Sequence, residues 1–239
     1  MRTIALGCLA VALVGSAIAA CQSKNSPPGQ PANQASAQAL PAQGGGPTIH
    51  IAPLSPLPNV TAPIPPLTQK STVHMITTAG EVVIEVYPQA APHAAQRFLE
   101  LVRSGFYDDT PVSRVVAGFV AQFGVNWRSP HKDWQNRNFD DDPTLFSLER
   151  GTLAFAKGGP NTNSTQVFIN YKENNQLADP RYNFTVFGKV VSGMDVVDRF
   201  AKVGDPSGGL DQGRLWADGG TYLASLPVKP TMIETATVE

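Results

Sequence analysis

Several sets of residues in this 239-residue chain have types and spacing that invite chemistry. His50, His74, His93 and His131, together with Asp140-Asp141-Asp142, are the candidate metal ligands. No two histidines fall at a helical or turn ligand spacing, and the acidic run lacks the glycine and spaced oxygens of a calcium loop. No metal is therefore expected, and the run reads as a solvated turn before Pro143. Serines are plentiful without a Gly-x-Ser-x-Gly elbow, so covalent hydrolysis has no local signature, and only a triad assembled by the fold stays open. The loop Lys157-Gly158-Gly159-Pro160-Asn161-Thr162-Asn163-Ser164-Thr165 is Gly- and Asn-rich, but it lacks the Gly-Lys-Ser/Thr ending of a nucleotide cradle.

A different pattern lies in Ser113-Arg114-Val115-Val116-Ala117-Gly118-Phe119-Val120-Ala121-Gln122, where Arg114, Phe119 and Gln122 share one strand-loop-strand stretch. Taken singly, such an Arg is an ion-pair partner, such a Phe is core and such a Gln is solvated. The surrounding pattern is rich in strands. Val73–Ile76 and Glu81–Tyr87 alternate or run apolar around Thr78-Ala79-Gly80, which predicts a hairpin. Val115–Phe123, Gly151–Ala156, Thr165–Ile169, Phe184–Val191 and Thr231–Val238 read as further strands. Pro92 opens a helix with Ala91, Ala95, Phe98 and Val102 at spacings of three and four and a stop at Gly105, and Ser192-Gly193-Met194-Asp195 fits a capping box opening a second helix through Ala201, ended by Gly204. Residues 203–228 read as a loop-like insertion without an assignable role. Many strands, two helices and no strand-helix alternation predict a closed or nearly closed antiparallel β structure with helical covers.

The segment 113–122, together with Gly151-Thr152-Leu153-Ala154-Phe155-Ala156-Lys157 through Gln166-Val167-Phe168-Ile169-Asn170, resembles the two signature segments of the cyclophilin family of peptidyl-prolyl cis-trans isomerases. Phe184-Thr185-Val186-Phe187-Gly188-Lys189-Val190 and Gly193-Met194-Asp195-Val196-Val197 follow in the family's order, so the resemblance covers residues 71–239. It implies an eight-stranded antiparallel β-barrel with a helix at each end and a groove on its outer surface. It also implies that Arg114 is the catalytic arginine and that Phe119, Val120 and Phe168 line a proline pocket. Gln122 would contact the substrate backbone, Ala156, the main chain of Lys157 and Gln166 would form the neighbouring wall, and Leu177 and Phe184 would close the pocket. No cofactor is implied. Val120 stands where many members carry Met, Phe123-Gly124-Val125-Asn126 replaces the usual continuation after Gln122, Gln176 is nearest to the Trp of cyclosporin-sensitive members, and Phe184 replaces a His or Tyr. Weak cyclosporin binding is the expectation from these departures.

The front of the chain is different in kind. All acidic residues lie at or after Glu81, and the first 80 positions carry only Arg2, Lys24 and Lys70. Arg2 precedes an apolar run and then small residues ending in Ile18-Ala19-Ala20-Cys21, which reads as a secretory signal over 1–20 and resembles a bacterial lipobox with Cys21 as the lipidated residue. Residues 21–70 hold eleven prolines among Gln, Ala, Ser and Gly, which predicts a disordered linker ahead of an isomerase domain over 71–239. A net charge of −1 gives no electrostatic footprint for nucleic acid. The expectation is a monomer on the periplasmic side of a bacterial membrane, held by its lipid, that speeds X-Pro isomerisation in exported proteins. The alternative is a chaperone or envelope scaffold that grips proline segments on the same barrel without turnover.

Overall fold

The computed structural model describes residues 54–239; the signal segment, Cys21 and most of the linker lie outside the described residues. Strand β1 (Ser71–Thr77) and strand β2 (Gly80–Val86) form the expected hairpin, in unbroken register from Ser71 opposite Val86 to Thr77 opposite Gly80. Its alternation buries Val73, Met75, Val82, Ile84 and Val86 on one side. Strands β3 (Thr110–Val116), β4 (Val120–Phe123), β5 (Thr152–Phe155), β6 (Val167–Asn170), β7 (Val186–Ser192) and β8 (Met232–Val238) complete a closed barrel. Its order is β1-β2-β7-β5-β6-β4-β3-β8, and every neighbouring pair is antiparallel. The stretch read as one strand from Val115 to Phe123 is two, because Ala117-Gly118-Phe119 turns the chain and the Phe119 N–H donates to the Val116 carbonyl.

Period-two alternation gives the wall two hydrophobic faces. Ala121, Phe123, Leu153, Phe155, Val167 and Ile169 belong to the main core with the rings of Phe98, Tyr107 and Phe187. Val120, Ala154, Phe168 and Val186, their sequence neighbours, belong to a second cluster on the opposite face. That second face carries the functional groove.

Helix α1 (Pro92–Arg103) starts with Pro92 in its first turn and buries Ala95, Phe98, Leu101 and Val102. Its cap comes from far away, since the Asp142 carboxylate accepts the N–H groups of His93 and Ala94 at 3.1 and 2.9 Å. Asp142 is thus buried and structural rather than part of a solvated turn, because the first N–H groups of a helix need acceptors and Ala91 offers none. Helix α2 (Met194–Asp198) is one short turn preceded by Gly193, with no side chain capping it, so the capping box read at 192–195 does not form.

The region 203–228 is not all loop. It holds helix α3 (Gln212–Ser225), kinked at Asp218 and capped by the Asp211 side chain, which accepts the Arg214 N–H at 2.9 Å. Gly213, Gly219 and Gly220 erase the helical signal locally, while burial of Leu215, Trp216 and Tyr222 supplies what propensity lacks.

Order also begins earlier than Lys70. Leu54 is buried in the outer-face cluster, Leu57 N–H donates to the Leu145 carbonyl at 2.9 Å, and Ser147 N–H donates to the Ser55 carbonyl at 2.8 Å. Lys70 pairs with Glu85. The reading of a linker disordered up to Lys70 is corrected for 54–70, because composition registers the prolines but not the apolar Leu54 that docks there. Among the described residues, no helix is long and apolar enough to cross a membrane, and no buried side-chain nitrogen or oxygen lacks a hydrogen-bond partner.

Candidate active site

Three strands build the centre of the groove. Arg114 on β3 lies directly opposite Gln122 on β4, and Gln122 lies directly opposite Phe168 on β6. Residues opposite each other across antiparallel strands project to the same face, so a cation, an amide and an aromatic ring stand in one row. Ala154 on β5, opposite Phe168, extends that row beneath the surface.

Around it is a cavity of about 230 Å³ lined by Arg114, Phe119, Val120, Gln122, Ala156, Lys157, Phe168, Leu177 and Phe184. Phe168 meets Phe184 edge-on with centroids 5.5 Å apart, and the Arg114 guanidinium lies 5.7 Å from the Phe119 ring centre. The Phe119 carbonyl accepts the Tyr171 N–H at 2.9 Å and the Asn174 side-chain amide at 3.1 Å, which pins the turn that presents Phe119. Leu177 sits in a short 3-10 turn, Asn175–Ala178, and its carbonyl accepts the Phe184 N–H at 3.1 Å, linking the two residues at the pocket's far edge.

Polar groups are gathered at the other end. Gln122 donates from Nε2 to Gln166 Oε1 at 2.9 Å, Arg114 Nη1 faces Gln122 Oε1 at 3.4 Å, and Arg114 Nε donates to the Ser207 carbonyl at 2.6 Å. Gln166 borders the cavity through this bond. Gly124 is what brings it there. With φ +108, it approaches the Thr165–Gln166 backbone so closely that an added Cβ would lie 2.4 Å from the Thr165 carbonyl. The departure after Gln122 is accommodated in the same place, since Phe123 is buried against Tyr107 at 5.3 Å.

Lys157 lines the groove, and its ammonium is buried 5.7 Å from the Phe184 ring centre. The ammonium is 2.7 Å from the Asp141 carboxylate and 2.9 Å from the Asn183 carbonyl, and only 3% of the side chain is exposed. Burial pushes the Asp141 carboxyl up, but the hydrogen bond and charge of Lys157, with amide donors from Asn161 and Asn163, outweigh it and hold the group below its ordinary value. Gln176 is exposed with its amide turned to Asn174, outside the cavity lining. Asn174 and Ser207 were missed from the sequence. Asn174 is a buried amide whose acceptor, the Phe119 carbonyl, lies 55 positions away in the chain, and Ser207 acts through a backbone carbonyl that any residue type supplies.

A model of the family described as cyclophilin type peptidyl-prolyl cis-trans isomerase/CLD matches residues 72–218, more than half the chain. The chain belongs to this family. It is similar to a peptidyl-prolyl cis-trans isomerase of Acinetobacter baylyi, at 36% identity over 146 residues that cover 59% of this chain and 77% of that one. It is also similar to peptidyl-prolyl cis-trans isomerase-like 3 of Dictyostelium discoideum, at 33% identity over 55% of this chain and 83% of that one. A crystal structure of a Cryptosporidium parvum cyclophilin type isomerase shares the fold with TM-score 0.54 and 24% identity, covering 72% of this chain and 98% of that one. That parasite protein was also crystallised in the presence of the dipeptide Ala-Pro.

The protein is therefore an isomerase of X-Pro peptide bonds. Rotation about such a bond breaks no covalent bond, so the groove needs to hold a ring, admit a rotating carbonyl and stabilise a twisted amide. Among the described residues, no group of three or more His, Cys, Asp or Glu is placed to hold a metal ion. His74 sits on β1 between Glu81 at 2.7 Å and Glu239 at 3.4 Å. Those acceptors raise its pKa.

Proposed function

We propose that the groove isomerises X-Pro bonds by electrostatic stabilisation of the twisted amide, with Arg114 as the catalytic residue. The observation that carries this reading is the row Arg114, Gln122, Phe168, which puts a fixed cation beside an apolar pocket on one face of three strands. Amide resonance sets a barrier of about 20 kcal/mol to rotation. When the bond twists, the prolyl nitrogen regains its lone pair and pyramidalises, and a guanidinium donor at that nitrogen favours the transition state over either planar ground state. The guanidinium offers several donors in a rigid fork.

In this reading the proline ring rests on Phe168 between Phe119, Val120 and Leu177, while Gln122 holds the substrate backbone and Ala156, Lys157 and Gln166 form the adjoining wall. Phe184 closes the far edge. The Ala-Pro dipeptide named with the Cryptosporidium relative fits a substrate of this kind. The pocket fixes the ring, so the residue before proline is the part that turns.

The client proteins are exported ones in the same proposal. The signal-like segment 1–20 and the lipobox-like Ile18-Ala19-Ala20-Cys21 support a location on the periplasmic side of a bacterial membrane, with a lipidated Cys21 and the proline-rich linker as the tether. X-Pro isomerisation takes tens of seconds or longer unaided, slow enough to limit folding there. Incorporation of a fatty-acid analogue into the wild-type chain and its absence from Cys21→Ser supports the anchor, and equal labelling of the two overturns it.

The deciding experiment follows cis-to-trans isomerisation of an X-Pro test peptide by the full chain and by Arg114→Ala. The expected result is acceleration that falls about 10²- to 10³-fold in the variant while peptide affinity is kept. A folded wild-type chain that binds the peptide without accelerating it overturns the catalytic reading in favour of a proline-binding chaperone or scaffold.

A further inference from the structure

The segment between α2 and α3 gains a role from what it does to Arg114. Gly204 to Leu210 folds back on the barrel beside β3. The backbones of Asp205 and Gly209 exchange two hydrogen bonds of 2.8 Å, and Leu210 N–H donates to the Ser113 carbonyl at 2.8 Å. Gly209, at φ +75, lies flush on Arg114, since an added Cβ would come within 2.7 Å of the Arg114 Cα. Inside this loop a single atom organises the turn. Asp205 Oδ1 accepts the Ser207 N–H at 2.9 Å, the Ser207 hydroxyl at 2.8 Å and the Gly208 N–H at 2.6 Å. The result is a Ser207 carbonyl aimed at Arg114 Nε, 2.6 Å away.

We propose that Asp205 is a positioning residue for Arg114, acting through the Ser207 carbonyl to fix the plane and direction of the guanidinium over the proline groove. This rests on the reading of Arg114 as the catalytic residue. An arginine on a half-exposed strand has many rotamers, and transition-state stabilisation requires one of them. Here the side chain is held at three points: Ser207 on Nε, Gln122 Oε1 opposite Nη1 and the Phe119 face beneath. Only the Ser207 acceptor belongs to backbone, and backbone is the most rigid of the three, provided its loop is rigid. Helix α3 secures the loop's exit, because the Asp211 N–H donates to the Tyr222 hydroxyl at 3.0 Å.

The test uses the full chain with Asp205→Ala, Asp205→Asn and Arg114→Ala, alone and combined. All three bonds land on Oδ1, and the Asn amide oxygen takes the same three. Asp205→Ala is expected to lower kcat about tenfold with KM and peptide affinity unchanged, Asp205→Asn to restore it, and Asp205→Ala to have no further effect in the Arg114→Ala background. The Arg114 Nε–H, which donates to the Ser207 carbonyl, is expected to exchange faster in Asp205→Ala than in the wild type. Wild-type kcat in Asp205→Ala, alongside collapse in Arg114→Ala, overturns the positioning role and leaves the catalytic reading standing. An equal loss from Asp205→Ala in both backgrounds overturns it as well. Full turnover in Arg114→Ala removes the catalytic reading itself, and the positioning role with it.

Discussion

The amide of Gln122 is oriented by Gln166. Because Gln122 Nε2 donates to Gln166 Oε1 at 2.9 Å, its oxygen is the end that faces Arg114. A groove that depends on which way an amide points has made that choice with a second glutamine rather than leaving it to solvent. Gln166→Met keeps the volume and removes the acceptor, so the Gln122 amide loses its reason to stay in register. Turnover of an X-Pro peptide is expected to fall about fivefold, a change of about 1 kcal/mol, with the thermal midpoint nearly unchanged. Wild-type kinetics in that variant would show that the orientation of Gln122 is immaterial.

Arg114→Lys keeps the charge and loses the fork. A guanidinium can donate from Nε to Ser207 while its other nitrogens face Gln122 and the groove, whereas an ammonium is a point charge on a flexible stem. The expected loss in kcat/KM is about 10²-fold, close to that of Arg114→Ala. Steady-state kinetics with one test peptide decides it, and activity within twofold of wild type would mean that charge alone suffices.

The pair Lys157 and Asp141 is a stability element beside the active groove. Its side chains are 3% and 13% exposed, so removing the cation leaves a largely buried carboxylate. Lys157→Met is expected to cost about 3 kcal/mol at neutral pH by urea unfolding. The sign with pH follows from the depressed Asp141 value: its contribution is complete above the unfolded carboxylate pKa of about 3.9 and is lost as pH falls through the lower folded one. The gap between wild type and Lys157→Met should therefore narrow below about pH 4, where a neutral Asp141 no longer needs a cation. A gap that stays constant down to pH 3 would assign the cost to packing.

The barrel and the groove's row were legible for a reason that sets the limit of the reading. Alternation in Glu81–Val86 is written in side chains, whereas Arg114 and Phe168 are marked only by the segments around them that resemble the family's signatures. What stayed hidden is carried by backbone or by distance. The Ser207 carbonyl has no residue signature, Asp142 caps a helix that starts fifty positions earlier, and α3 forms despite three glycines because Leu215, Trp216 and Tyr222 bury themselves. Lys157 was read for its main chain, and its buried ammonium depends on where Asp141 falls in space.

Leu54 shows the same limit at the chain's front and yields a prediction of its own. A leucine among prolines reads as linker, yet its side chain is 4% exposed and shares a cluster with Val120 and Phe168, two walls of the proline pocket. The docking is held by strand-like bonds to 145–147, and burying a leucine there removes apolar surface from water. Truncating it leaves a hole between the arm and the barrel's outer face, where the surroundings can collapse only in part. Leu54→Ala in the full chain is expected to lower stability by about 2 to 4 kcal/mol, with kcat little changed well below the unfolding midpoint, because Arg114, Gln122 and Phe168 are positioned by β3, β4 and β6 and not by the arm. Urea unfolding measures the first quantity and peptide turnover the second. An unchanged unfolding midpoint would mean that the arm does not hold to the barrel, and a kcat that falls in step with stability would mean that the pocket's outer wall depends on the arm for its shape.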